Sequence, residues 1–204
     1  MSYCLPNGYV ERLGAPQDFD ANGGDTWQDE VYKTARGLAD VLGLRAVLDF
    51  GCGSGFKLVK YFPPSSMFVP VGVDLPQAVE RLNQTYPKQV WLTVQEIKTI
   101  HYDLDLVICS DVIEHVDEPD LLLSMLKGMA PKWLVISTPD RNLMAKSPRW
   151  TSRMGPPGNG CHVREWTFGE FRMYMDMHFD VVRHFHSNRA QATQCVIART
   201  RPRY

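Results

Sequence analysis

A glycine-rich turn is the feature that most constrains the fold of this chain. The apolar run of residues 46–50 leads directly into Gly51, Gly53 and Gly55, and a helix-forming segment begins at Phe56. Glycine allows both a tight turn and the close approach of the backbone to a ligand. The sequence therefore predicts a strand, a turn and a helix, with a large ligand lying over the turn.

The same alternation of strand and helix continues along the chain. Helices are predicted at residues 76–86, 119–129 and from 167, and the last of these begins with a capping box of Thr167 and Glu170. Further strands are predicted at residues 68–74, 90–94, 105–109, 133–137, 179–186 and 194–200. This order predicts an α/β fold: a Rossmann-like sheet of seven strands, mainly parallel with one antiparallel edge strand, and helices on both faces.

Length and composition indicate one domain with two irregular segments. The chain has 204 residues, of which 44% are hydrophobic, so we expect one core within residues 27–204. Residues 139–166 lack a periodic pattern and form a candidate substrate loop. Residues 1–26 have two open interpretations, a lid over the pocket or a disordered leader. A capping box at Thr26 and Asp29 is expected to start the first helix.

The charge and the cysteines limit the partners. A net charge of −1 gives no broad attraction to nucleic acid, so we expect a small-molecule substrate and no nucleic-acid partner. The five cysteines have no paired spacing and are interpreted as reduced thiols. Without a signal peptide or an apolar span, the sequence predicts a cytoplasmic protein that does not associate with membranes. Nothing in it indicates an oligomeric state.

Two carboxylates near the turn suggest which ligand it binds. Asp74 follows Gly55 by 19 positions, at the end of the next predicted strand, where a carboxylate can accept the hydroxyls of a ribose. Asp49 precedes Gly51 by two positions, and its charge would repel a pyrophosphate but attract the ammonium of a methionine. These residues favour S-adenosylmethionine over a nicotinamide dinucleotide, which stays as an alternative.

The sequence resembles the class I S-adenosylmethionine-dependent methyltransferases in three segments, residues 47–55, 71–74 and 105–116. The resemblance implies that the glycine turn lies along the methionine part and that Asp74 holds the ribose. It also implies that Leu75 covers the adenine, with Gln95 and Glu96 near the adenine amino group. The predicted cofactor-binding residues are Asp49, Gly51, Cys52, Gly53, Gly55, Asp74, Leu75, Gln95, Glu96 and Ser110.

A second group of residues is predicted to carry the chemistry. Asp111, Glu114 and His115 follow the fourth predicted strand of the alternating pattern, and His162 ends the long loop. Methyl transfer to an oxygen requires removal of its proton. Two solutions are open: His115 or His162 is the catalytic base, or Asp111, Glu114, His115 and His162 bind a divalent metal such as Mg²⁺ or Mn²⁺.

This second group carries a further resemblance. Small-RNA 3′-terminal 2′-O-methyltransferases have Glu-x-x-Glu-His and a later His followed by Glu-Trp-Thr, and ubiquinone-biosynthesis O-methyltransferases are similar at the first motif. The present chain has Asp111 in place of the first Glu and keeps His162, followed by residues 165–167 as Glu-Trp-Thr. The shorter side chain of Asp111 moves the carboxylate by about one bond, which changes the geometry of a metal site.

The long loop is rich in cations. Between positions 141 and 164 it has five basic and no acidic residues, and those predicted to contact substrate are Arg141, Arg149, Arg153 and Arg164. They would suit an anionic acceptor, although a solvated loop has the same composition. We therefore expect O-methylation of a small, anionic metabolite. The alternatives are a metal-dependent RNA 2′-O-methyltransferase and a non-catalytic subunit that binds the cofactor.

Overall fold

The computed structural model describes residues 3–16, 27–65, 67–100, 103–144 and 153–201. The strands are β1 Ala46–Phe50, β2 Val69–Asp74, β3 Val90–Thr93, β4 Leu106–Ser110, β5 Trp133–Pro139, β6 Asp180–Asn188 and β7 Thr193–Arg199. The helices are α1 Asp29–Leu42, α2 Phe56–Tyr61, α3 Pro76–Thr85, α4 Val94–Ile97, α5 Pro119–Gly128, α6 Arg141–Met144 and α7 Phe168–His178. A short 3₁₀ helix, Ile113–His115, follows β4.

All seven strands form one sheet in the order β3-β2-β1-β4-β5-β7-β6. The first five are parallel, and β7 runs antiparallel to both β5 and β6. Parallel strands end at the same edge of a sheet, so β1, β2 and β4 deliver their following residues to one place. The predicted Rossmann-like sheet with an antiparallel edge is confirmed, and β7 is the reversed strand just inside the edge strand β6.

The core has two layers because the strands alternate their side chains between two covered faces. In β4, Leu106 and Ile108 join the cluster that contains Val31 and Leu58 of α1 and α2. The intervening Val107 packs with α5 and α7 in the other cluster. Helices therefore cover both faces, as predicted. No helix within the described ranges is long and apolar enough to cross a membrane.

Two predicted helix starts had different outcomes. Thr167 and Glu170 form the expected capping box of α7, with both reciprocal hydrogen bonds present. For α1 the prediction was wrong, since the helix begins at Asp29 after Gln28 in a left-handed conformation, and Thr26 lies outside the described residues. Asp29 is then the first helical residue rather than the third, and its carboxylate forms an ion pair with Lys60.

The described part of the N-terminal segment, residues 3–16, packs against the end of the long loop; we call it the N-terminal strap. Its backbone donates hydrogen bonds from Val10 to the Met154 carbonyl at 2.7 Å and from Arg12 to the Val163 carbonyl at 2.8 Å. No strap residue lines the main cavity described below. The strap therefore contacts the loop and not the pocket, whereas residues 17–26, the other part of the expected lid, lie outside the described residues.

Candidate active site

A cavity of about 930 Å³ opens at the carboxyl ends of the parallel strands. Its lining includes the glycine turn, the residues after β2 and β4, the loop residues around His162 and the turn between β6 and β7. A volume of this size is in the range of small-molecule and cofactor pockets. The position agrees with the general rule that open α/β sheets bind ligands at the carboxyl ends of their strands.

The glycine turn forms one wall of this cavity. Gly51, Gly53 and Gly55 have φ angles of 76°, 55° and 70°, a region that residues with a Cβ rarely adopt. A Cβ on Gly51 would lie 2.3 Å from a methyl carbon of Val112. Gly55 is different, because its Cβ would meet Leu82 and Trp91 and it does not line the cavity. The predicted cofactor contact of Gly55 is therefore replaced by a packing role behind the turn.

Asp49, predicted to contact the cofactor, is a fully buried carboxylate just before the turn and does not itself line the cavity. The Tyr32 hydroxyl donates a hydrogen bond to its Oδ2 at 2.8 Å, while Oδ1 is buried without a hydrogen-bond partner. Burial raises the pKa of Asp49 to about 7. An unpaired carboxylate oxygen of this kind is suited to accept a hydrogen bond from a cationic ligand group.

Asp74 lies at the end of β2 on the cavity wall. Its carboxylate accepts hydrogen bonds from the backbone N–H groups of Gly53 and Leu75, each at 2.7 Å. These bonds fix the orientation of the side chain, and each carboxylate oxygen retains a lone pair for a ribose hydroxyl. Leu75 and Ser110 also line the cavity, as does Cys52.

Gln95 and Glu96, the residues expected near the adenine amino group, lie in helix α4. Strand β3 ends at Thr93, and Val94 begins α4. Thr93 and Glu96 form a capping box in which the Glu96 carboxylate accepts from the Thr93 backbone N–H at 2.7 Å. Neither Gln95 nor Glu96 lines the cavity, whereas Val94 does. The Thr-x-x-Glu pattern of a helix start was present in the sequence, but the predicted strand of residues 90–94 was drawn one residue past Thr93.

Elsewhere on the cavity lining, three residues bring ligand-type atoms together. Glu114, His115 and His162 each offer one such atom, and these atoms all lie within 4.8 Å of one another. The two imidazole rings meet edge to face with centroids 4.8 Å apart. His115 ends the 3₁₀ helix after β4, and His162 comes from the long loop. The structure therefore joins two motifs that are 47 positions apart in the sequence.

The fourth predicted metal ligand, Asp111, is not part of this group. Its carboxylate accepts hydrogen bonds from the Ser137 hydroxyl at 2.6 Å and from the Gln28 amide at 3.1 Å. Asp111 has a left-handed backbone with φ of 53°, and its short side chain is held by these two partners. Of the four predicted metal ligands, the structure brings together only Glu114, His115 and His162.

Hydrogen bonds fix the tautomer of both histidines. The His115 Nδ1 lies 2.9 Å from the Cys161 carbonyl, which can only accept, so Nδ1 carries the proton and Nε2 the lone pair of the neutral ring. The His162 Nδ1 donates to the Glu165 carboxylate at 2.7 Å. Such a carbonyl or carboxylate partner behind a histidine is the usual support of a metal-binding or basic imidazole.

Asn159 completes the surroundings of His162. The Asn159 Oδ1 accepts from the Cys161 backbone N–H at 3.0 Å, which directs its amide nitrogen to the His162 Nε2 at 2.9 Å. The Asn159 carbonyl in turn accepts from the Arg12 guanidinium of the N-terminal strap at 2.6 Å. Sequence reasoning missed Asn159 and the roles of Glu165 and Arg12, since only the folded loop brings them to His162.

Glu114 is the acidic member of the group and is fully buried. Its Oε2 accepts from the Thr138 hydroxyl at 3.1 Å, and its Oε1 has no hydrogen-bond partner. Burial, together with the nearby Asp111 carboxylate, raises the pKa of Glu114 well above its usual range. A buried carboxyl oxygen without a partner, beside two imidazoles, matches what a divalent cation needs.

The predicted substrate arginines do not form the expected cationic patch. Arg141 is 4% exposed and bonds to the Glu170 carboxylate and the Glu165 carbonyl. Arg164 is fully buried and paired with Glu11 and two carbonyls. Buried guanidinium groups must be paired, so both stabilise the loop. Arg153 is exposed outside the cavity lining, and Arg149 lies outside the described residues.

The cations that do line the cavity are Lys57, on α2, and Arg189, in the turn between β6 and β7. Neither was singled out from the sequence. For Lys57 the sequence held a signal, because the glycine turn predicts a ligand site and Lys57 follows Gly55 by only two residues. For Arg189 the sheet topology decides, since the turn that contains it leads into β7, whose first residue, Thr193, pairs with Pro139 at the carboxyl end of β5.

Comparisons with known proteins agree with this geometry. Residues 10–194 match the family model described as a methyltransferase domain. The chain is 29% identical over 167 residues to the small RNA 2′-O-methyltransferase of Mus musculus; the match covers 70% of this chain and 40% of that protein. The chain therefore corresponds to less than half of this relative.

Two solved structures share the fold. The methyltransferase domain of the bacterial protein CtHen1-C has a TM-score of 0.63 at 19% identity, with 84% of this chain and 97% of that chain covered. The 1,6-didemethyltoxoflavin-N1-methyltransferase of Burkholderia thailandensis, solved with S-adenosylhomocysteine, has a TM-score of 0.60 at 20% identity, with 87% and 82% covered. With the family match, the chain belongs to the methyltransferase domain family, as an enzyme that uses S-adenosylmethionine.

Proposed function

We propose that this methyltransferase acts on a hydroxyl oxygen of its acceptor and that Glu114, His115 and His162 surround that hydroxyl. The observation that carries the proposal is the convergence of one carboxylate oxygen and two oriented imidazoles within 4.8 Å at the cavity. A hydroxyl is a poor nucleophile until it loses its proton. The residues that could accept or stabilise that proton are therefore the ones the fold brings together.

The two open solutions differ in what these residues hold. As a base, His162 would accept the hydroxyl proton at Nε2, and Glu165 at Nδ1 would stabilise the resulting imidazolium. Alternatively, a divalent cation held by Glu114, His115 and His162 would lower the pKa of a bound hydroxyl. The unpartnered Glu114 Oε1 favours the second solution. Accepting a proton at the His162 Nε2 requires Asn159 to release that atom, and so does binding a metal there.

Manganese binding to the purified protein separates the two solutions. Titration followed by calorimetry should show one Mn²⁺ bound by the wild type and lost in Glu114→Gln. The matched control is Asp111→Asn, because the Asp111 carboxylate is held by Ser137 and Gln28 and its loss should leave Mn²⁺ binding intact. Methyl transfer that is unchanged by a chelator would contradict the metal solution and leave His162 as the base.

The acceptor is proposed to be a small molecule with a hydroxyl group, and its anionic groups, if present, would meet Arg189. RNA is the second candidate, supported by the similarity to the mouse small RNA 2′-O-methyltransferase. A panel of radiolabelled transfer reactions distinguishes them: sugar nucleotides and phosphorylated sugars on one side, and an oligoribonucleotide with a terminal diol on the other. The matching 2′-deoxy oligonucleotide is the control. Label on the terminal-diol RNA alone would replace the small-molecule proposal.

A further inference from the structure

Lys57 is a buried cation that the mechanism above does not use. It is the second residue of α2, immediately after the glycine turn, and it lines the cavity while being only 9% exposed. Among the described residues its ammonium group has no hydrogen-bond or ion-pair partner. Its neighbour on the same helix, Lys60, is exposed and paired with Asp29.

A largely buried ammonium without an anionic partner has lost part of its hydration, which a bound anion would replace. The surroundings of Lys57 replace that hydration only in part. Its nitrogen lies 6.0 Å from the centre of the Tyr32 ring, at the outer limit of a cation–π contact. The ammonium also attracts the carboxylates of Asp49 and Asp111 without touching either. The site therefore lacks an anion in direct contact.

Asp49 is the complementary group close by. Its Oδ1 is buried and has no hydrogen-bond partner, while Tyr32 holds its Oδ2. The same tyrosine thus lies beside an unpartnered acceptor and an unpartnered cation. Gly51 and Gly53 line the same cavity as Lys57. An α-amino acid group, with one ammonium and one carboxylate on the same carbon, has the matching charges.

We infer that the Lys57 ammonium binds the α-carboxylate of the methionine part of S-adenosylmethionine, opposite Asp49, which accepts from the α-ammonium. The inference rests on the cofactor and not on the proposed hydroxyl acceptor. An anionic acceptor is a poorer partner for Lys57, because the cation lies at the glycine turn beside Asp49. Arg189 also lines the cavity and is exposed in the turn between β6 and β7. It is therefore the better partner for an anionic group of the acceptor.

Binding of three cofactor products by calorimetry tests this assignment without any methyl acceptor. The probes are S-adenosylhomocysteine, its decarboxylated analogue and 5′-methylthioadenosine, which lacks the whole amino acid. For the wild type, removing the carboxylate should weaken binding about 10- to 150-fold, the range for hydrogen bonds to charged groups. In Lys57→Met the affinity for S-adenosylhomocysteine should fall by the same factor and that for methylthioadenosine should not change.

The affinity ratio of S-adenosylhomocysteine to its decarboxylated analogue is the decisive quantity, since it does not depend on the folded fraction. Lys57→Met should bring the ratio close to one, Lys57→Arg should keep part of it, and the control Lys60→Met should leave it at the wild-type value. A wild-type ratio in Lys57→Met would overturn the inference and place the carboxylate elsewhere. Unchanged cofactor binding with lost methyl transfer would assign Lys57 to the acceptor instead.

Discussion

The two walls of the cavity are built in different ways. The glycine wall, formed by residues 51–54 and Asp74 with Asp49 buried behind them, comes from two adjacent strands and the turn between β1 and α2. The histidine wall, formed by Glu114, His115 and His162 with Asn159 and Glu165 behind them, comes from a 3₁₀ helix and a distant loop. The first is supported mainly by backbone within one motif, and the second by contacts between segments far apart in sequence.

This difference indicates which properties each wall controls. Backbone N–H groups and glycine conformations shape the first wall, and the charged side chains expected to bind the cofactor, Asp49, Lys57 and Asp74, lie close to the same turn. The second wall depends on side-chain hydrogen bonds that orient two imidazoles, so turnover should be more sensitive there than cofactor affinity. The four predictions below test that division, from the largest expected effect to the smallest.

Replacing His162 by Gln should lower turnover by at least about 100-fold, because general acid–base or metal-assisted catalysis contributes factors of this order. The affinity for S-adenosylhomocysteine should change little, since His162 belongs to the histidine wall and not to the glycine wall. Steady-state methyl transfer and calorimetry on the same protein give the two numbers. His178→Gln, in α7 outside the cavity lining, is the matched control. Equal losses of turnover and cofactor affinity would break the division between the walls.

Replacing Gly51 by Ala should lower the free energy of unfolding by about 2–4 kcal/mol. The left-handed φ of 76° costs about 1–2 kcal/mol for a residue with a Cβ. The clash with Val112 at 2.3 Å adds to this cost by forcing a shift of packed atoms. Chemical denaturation measures the change. In the control Gly128→Ala, no heavy atom lies within 4 Å of the added Cβ, and a loss as large there would remove the special role of the turn.

Cofactor binding should depend on pH through Asp49. Its raised pKa of about 7 in the ligand-free protein means that the carboxyl group is protonated at lower pH. Because the ligand ammonium requires the carboxylate, the affinity for S-adenosylhomocysteine should fall about tenfold for each pH unit below 7 and level off above it. Calorimetry between pH 5.5 and 8 measures the slope. The Asp49→Asn variant should bind weakly with no slope, and a slope that persists there would assign the titration to another group.

Removing one contact of the N-terminal strap should have the smallest effect. Arg12→Met deletes the guanidinium hydrogen bond to the Asn159 carbonyl, and Asn159 contacts His162. Loss of such a bond is expected to lower turnover about fivefold, equivalent to about 1 kcal/mol, without changing cofactor affinity. Arg36→Met, a surface arginine paired with Asp40 on α1, is the control. Wild-type turnover in Arg12→Met would show that the strap does not position the histidine.

The sequence was sufficient for the sheet and for placing the glycine turn at the cavity. Short apolar runs, the prolines at the starts of α3 and α5 and the spacing of Asp49 and Asp74 around the turn are local signals, and each depends on only a few neighbouring residues. The errors there were also local. Strand β3 was extended by one residue across the capping box of Thr93 and Glu96, and Gly55 was assigned to the ligand instead of to packing.

For the histidine wall, the sequence determined which residue types were available and the tertiary structure decided which of them meet. Residues 111, 141 and 164 had the right charge, but Asp111 is held by Ser137 and Gln28, while Arg141 and Arg164 are buried in ion pairs. Lys57 and Arg189 line the cavity without any motif of their own. The physical reason is that a motif fixes backbone conformation over a few residues, whereas the partner of a charged side chain depends on segments that only folding brings together.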